Sequence, residues 1–149
     1  MITKLDLGLV HGSCVDFDGK SILAIGPSGV GKSSLALQLI ALGGVLVADD
    51  QVVLSSGEKG VFVSTPQNIH GQIEVRGVGL LKCPNLDKSQ LNLVVDMTLE
   101  QTKRLPDPKT VAIGSHHINF IAGKDVQNLP IAAKILNLFG YSQLMDTLK

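Results

Sequence analysis

The chain has 149 residues, 13 Lys and Arg against 13 Asp and Glu, and a composition that is 44% apolar but only 3% aromatic. That length suits one domain over residues 1–149 with a substantial core, and a balanced charge without a basic, aromatic-rich cluster argues against nucleic acid as the main partner. No apolar run reaches the length of a membrane span and the N-terminal MITKLDLGLV lacks a signal-peptide pattern, so no membrane association and a cytoplasmic protein are expected.

Residues 5–10 and 13–17 are strand-like, with His11-Gly12 interrupting them, and Asp18-Gly19 makes a two-residue hairpin turn into a strand over residues 21–25. Next comes GPSGVGKS, residues 26–33, and then SLALQLIAL, residues 34–42, which has helical spacing and stops at Gly43-Gly44. The pattern G-x-x-x-x-G-K-[ST] at a strand-to-helix junction reads as a phosphate-binding loop. Gly26, Gly29 and Gly31 allow successive backbone N–H groups to converge on an anion at the positive end of the helix. Lys32 adds a point charge for the terminal phosphates, and the Ser33 hydroxyl suits a phosphate-bound Mg²⁺. The nucleotide contacts expected from this stretch are Gly26, Ser28, Gly29, Val30, Gly31, Lys32, Ser33 and Ser34. A phosphate loop alone does not choose among kinases, hydrolases and switches.

A short strand over residues 45–48 ends in Asp49-Asp50. Adjacent acids on an extended backbone would point to opposite sides, one toward a metal and the other toward a nucleophile; a solvated turn is the ordinary alternative. Strands are expected over residues 51–54, 61–64, 80–83, 91–96, 110–113 and 117–121, with residues 65–71 irregular. Residues 98–104 read as a polar helix ended by Pro106 and Pro108. Pro130 opens a last helix whose Ile131, Ile135 and Leu138 share one face, with Gly140 as its stop. That face would cover either the domain's own core or an oligomer interface. Cys14 and Cys83 read as small buried hydrophobes, and His116-His117, being adjacent on a strand, cannot both ligate from one face.

Four blocks taken together resemble HPr kinase/phosphorylase: His11-Gly12, GPSGVGKSSLAL from Gly26, LVADDQV from Leu46, and IEVRGVGLL from Ile73. The likeness is weak after Pro108, and it corresponds to the catalytic domain alone, a short form. It implies an α/β, P-loop-containing fold in which a β-rich mixed sheet is flanked by helices, related to the phosphoenolpyruvate carboxykinases. It also implies ATP and Mg²⁺ as cofactors, with Ser33, Asp50 and Glu74 as metal ligands. Asp49 would be the catalytic base taking the proton of a substrate serine, His11 would lie close to Asp49 and orient it, and Arg104 would help handle phosphate. Arg76 would reach phosphate or brace Glu74, unless either is half of a structural ion pair. The implied partner is HPr or an HPr-like phosphocarrier protein, and the implied assembly is a homo-oligomer, a hexamer in the family.

The resulting expectation is ATP-dependent phosphorylation of a serine on that carrier, with a reverse phosphorolysis that releases pyrophosphate. Two other readings remain open on the sequence: an ATP-binding regulatory module that transfers nothing, and a small-molecule kinase related to the carboxykinases.

Overall fold

The computed structural model describes Ile2, residues 4–66 and residues 70–147, the side chains of residues 146 and 147 excepted. Residues 67–69, within the stretch read as irregular, lie outside the described residues. The strands β1 (Lys4–Leu5), β2 (Gly8–Phe17) and β3 (Lys20–Ile25) lead into α1 (Lys32–Ala41). They are followed by β4 (Val45–Ala48), β5 (Gln51–Gly57), β6 (Gly60–Ser64), β7 (Gln72–Val75) and β8 (Gly79–Lys82). The chain continues through β9 (Lys88–Glu100), β10 (Lys109–Ile113), β11 (His116–Lys124), α2 (Leu129–Phe139) and a 3-10 turn, Gln143–Thr147.

The strand before the loop, β3, lies between β9, which runs parallel to it, and β2, which runs antiparallel. From β2 the ladder passes to β5, then β6, and β6 pairs back onto β9, so the sheet closes on itself. Beyond β9 the order is β11, β10 and β1. The β2–β3 hairpin turns at Asp18 and Gly19, both with positive φ, which is the two-residue turn that matches strand twist.

The fold is a sheet-rich α/β arrangement with its two described helices on the same face. Leu35, Ala36 and Leu39 of α1 share a core with Ala133 of α2 and with Val15, Ala24, Leu93 and Val95 of the sheet. The other face needs no helix. Curling of the sheet packs Leu23, Val52, Leu54, Val63, Val94 and Phe120 against one another. Each such side chain contributes about 1.5–3 kcal/mol on full burial.

Three sequence expectations change. His11-Gly12 does not interrupt β2, which runs through from Gly8 to Phe17. Glycine stands there because a Cβ would lie 2.8 Å from Leu23 Cδ1 and 2.9 Å from the Ala24 carbonyl oxygen, not because the chain breaks. Residues 98–104 form no helix: β9 extends to Glu100 in parallel with β11, and the amide and hydroxyl of Thr98 are held by Asp96 Oδ1 at 2.9 and 2.7 Å. Lastly, the expected shared face of α2 is split: Ile131 and Ile135 are exposed, as is Phe139, while Leu138 packs against the helix-side core and Leu129, Ala133 and Asn137 turn inward. Asn137 is the reason for this choice of face, since its amide bonds the Lys20 carbonyl while its own Oδ1 and carbonyl accept from Asn92.

Candidate active site

Residues 26–33 leave β3 and turn directly into α1, with Gly26, Gly29 and Gly31 all at positive φ, the last as the residue that caps the helix. Side chains at those positions would be strained, and at Gly26 a Cβ would also lie 2.8 Å from Val30 Cγ1. Lys32 is buried, and its ammonium donates to the Gly26 and Pro27 carbonyl oxygens at 2.6 and 2.9 Å. The lysine is therefore folded onto the loop that an anion would occupy.

The acid pair stands beside this loop for a topological reason. Cys14 pairs with Ala48 and His11 with Gln51, so β4 and β5 run one after the other along β2, with Asp49 and Asp50 between them. The pair is thus a kink where the chain passes from β4 to β5 alongside β2 and not a simple strand end. Asp50 has φ +70°, a left-handed conformation, so the expected extended alternation of the two acids does not hold. Main-chain bonds from Gly12 N to the Asp50 oxygen and from Gln51 N to the Asp49 oxygen, both 2.9 Å, hold the kink.

Asp49 is half-buried and faces α1. Its Oδ1 accepts two hydroxyls at 2.7 Å, one from Ser33 at the start of α1 and one from Ser13 on β2. The Ser13 oxygen also accepts the Asp50 amide at 3.1 Å. The contact made by Ser33 is with Asp49 rather than Asp50, which is exposed. The two acids share a small cavity of about 100 Å³ with Gln51, Thr65 and Pro66.

The other expected residues are distributed around this group. His11 lies two residues from Ser13 on the same face of β2, on the Asp49 side, and its exposed ring makes no hydrogen bond or ion pair among the described residues. Glu74 is exposed on β7, whose Ile73 and Val75 pack onto the α1 side of the sheet. The β7–β8 hairpin is tied to β4 through Leu46 N to the Pro84 carbonyl, 3.0 Å, and Leu86 N to the Leu46 carbonyl, 2.9 Å. Its far end comes near Asp49: burial, and then the negative charge of Asp49, push the Cys83 thiol up from its ordinary value. Arg76 and Arg104 are exposed, and neither they nor Glu74 is hydrogen-bonded to the acid pair among the described residues. His116 is engaged elsewhere, its Nε2 lying 2.7 Å from the Gly57 carbonyl oxygen.

Sequence reasoning missed Ser13. A serine in a buried strand carries no local signal of its own; only its position two residues after His11 could have marked it.

Among the described residues no three His, Cys, Asp or Glu side chains converge as a metal cage. A hydroxyl and one or two carboxylates beside a phosphate cradle nonetheless form a donor set that fits Mg²⁺, which keeps waters and phosphate oxygens as its remaining ligands. A larger groove of about 560 Å³ lies between α1 and the start of α2, lined by Gln38, Leu42, Leu129 and Ile131, and contains none of the expected site residues.

Comparison with known proteins gives the family and the fold. Residues 6–133 match the family described as HPr Serine kinase C-terminal domain. An HPr kinase/phosphorylase of Clostridium acetobutylicum is 36% identical over 129 residues, 82% of this chain and 40% of the relative. That of Bordetella pertussis is 51% identical over 73 residues, 48% of this chain and 24% of the relative. This chain therefore spans at most about 40% of the length of these curated relatives. A solved Hpr(Ser) kinase/phosphatase from Coxiella burnetii has the same fold, with a TM-score of 0.71 at 24% identity, covering 86% of this chain and 87% of that one. By the family match over residues 6–133 and the identity to the Clostridium acetobutylicum relative, the chain belongs to the HPr serine kinase C-terminal domain family.

Proposed function

We propose that this chain is an ATP-dependent protein-serine kinase whose acceptor is HPr or an HPr-like phosphocarrier, working on a P-loop fold of the kind shared with the phosphoenolpyruvate carboxykinases. The observation that carries the reading is the hydrogen bond from Ser33, at the head of α1, to the Asp49 carboxylate at 2.7 Å. It joins a phosphate cradle to a group able to take a proton.

In this reading the backbone amides of residues 26–33 hold the β- and γ-phosphates and Lys32 exchanges its two carbonyl partners for phosphate oxygens. Ser33, Asp50 and Glu74 would hold Mg²⁺, which when bound offsets phosphate charge. Asp49 has one oxygen engaged by two hydroxyls, so its Oδ2 is the one that accepts the proton of the incoming serine as that oxygen attacks the γ-phosphorus. His11, on the same face, steadies the acceptor side, and Arg104 would supply a positive charge from the segment after β9. In the reverse direction inorganic phosphate replaces the serine as nucleophile, Asp49 returns the proton to the serine oxygen, and pyrophosphate leaves. A cytoplasmic setting and a homo-oligomer belong to the same reading.

The test is to incubate the purified chain with Mg²⁺-ATP and HPr and to look for phosphoserine by mass spectrometry. Wild type should label the carrier, and Asp49→Ala should lose about 10²–10⁴-fold in rate with nucleotide binding retained. A carrier that binds and stays unlabelled would falsify the assignment.

A further inference from the structure

Ser13 is 2% exposed, and both of its hydrogen bonds go to the acid pair. Its proton goes to Asp49 Oδ1 and its lone pair receives the Asp50 amide. One hydroxyl therefore ties the side chain of the first acid to the main chain of the second.

The two donors to Asp49 differ in what anchors them. Ser33 belongs to the loop and the first turn of α1, the part of the site that must adjust when phosphates enter and Lys32 leaves the Gly26 and Pro27 carbonyls. Ser13 belongs to β2, where it pairs with Ala24 of β3, and its neighbours Gly12 and Cys14 are tied to Asp50 and Ala48 on the other side. It does not move with the loop. With both donors on Oδ1, Oδ2 is the only oxygen of Asp49 left for a substrate.

Resting on the kinase reading above, we infer that Ser13 is a positioning residue: it fixes the carboxylate plane of Asp49 and the left-handed kink at Asp50, and so sets which oxygen meets the acceptor, whatever the state of the loop. Without its hydroxyl Asp49 keeps only the Ser33 donor, which belongs to the first turn after the loop, and can turn about its terminal torsion. The Asp50 N–H then loses the hydroxyl oxygen that accepts it.

Ser13→Ala and Ser13→Thr in the full chain test this. Ser13→Ala should lower kcat for transfer to HPr by about tenfold or more, while Mg²⁺ with a non-hydrolysable ATP analogue binds within about twofold of wild type. Ser13→Thr should recover most of the rate. A merely structural serine would lower the melting temperature and leave kcat unchanged below it, and that result overturns the inference. So does an equal loss of kcat and analogue binding. Hydrogen exchange at the Asp50 amide supplies a readout that needs no catalysis: exchange about tenfold or more faster in Ser13→Ala, restored in Ser13→Thr, supports the inference, and unchanged exchange rejects it. If wild type binds the analogue but labels no carrier, the kinase reading falls, and the exchange measurement alone decides whether Ser13 pins the pair.

Discussion

Asp50 and Cys14 show what two single residues contribute. Asp50 holds a left-handed conformation that costs a non-glycine residue about 1–2 kcal/mol, a cost aspartate tolerates better than most. Asp50→Gly should leave folding stability unchanged or raise it by about 1 kcal/mol, whereas Asp50→Val should lower it by about 1–2 kcal/mol, read from urea midpoints. Burial pushes the Cys14 thiol from its ordinary 9.0 to about 12. Above pH 9 the unfolded chain releases this proton while the folded chain retains it, so stability falls as pH rises, by about 1.4 kcal/mol per pH unit up to about 12. Urea titrations across that window should give a shallower slope for Cys14→Ala than for wild type. At this scale the loop was legible because each of its residue types has a chemical reason at a set spacing. The Asp50 conformation was not, since it arises only from pairing with Gly12 and Ser13.

Among the elements, the β7–β8 hairpin lies outside the main sheet, yet carries Glu74 and contributes Ile73 to the helix-side core. Ile73→Ala should cost about 2–5 kcal/mol by urea denaturation, and limited proteolysis should then cut first within residues 71–87. Most strands and both helices could be read from alternation, glycine stops and Pro130, because those signals are local; β7 was not, being four residues of mixed polarity whose partner is the hairpin strand β8. The helix expected over 98–104 failed because Asp96 captures Thr98 and because β11, a partner more than twenty residues on, offers a ladder. The inward turn of Asn137 on α2 was not legible for a related reason: an asparagine looks like surface until Lys20 and Asn92 are brought to it.

Across the whole molecule, the resemblance to a family indicated the fold, but not how the sheet is finished. Pairing of β6 with β9 joins segments as far apart in sequence as Phe62 and Gln90, whose meeting no local pattern announces. Helices on one face only follow from this closure, because the curled sheet covers its own second face. The stripe of Ile131, Ile135 and Phe139 on α2 remains outside both cores, so Ile135→Glu should leave the urea midpoint nearly unchanged, within about 0.5 kcal/mol.

Closure also sets a timetable for exposure to solvent. Within β9, Leu93, Val94 and Val95 have β3 on one side and β11 on the other, with full burial above and below. Their amides can be reached only when the entire domain opens, so in deuterium they should be the last to exchange, at a rate that reports global unfolding. The amides of β7 and β8 should be replaced far sooner, by local fraying. The two ends of that range of rates separate opening of the whole sheet from fraying of one hairpin.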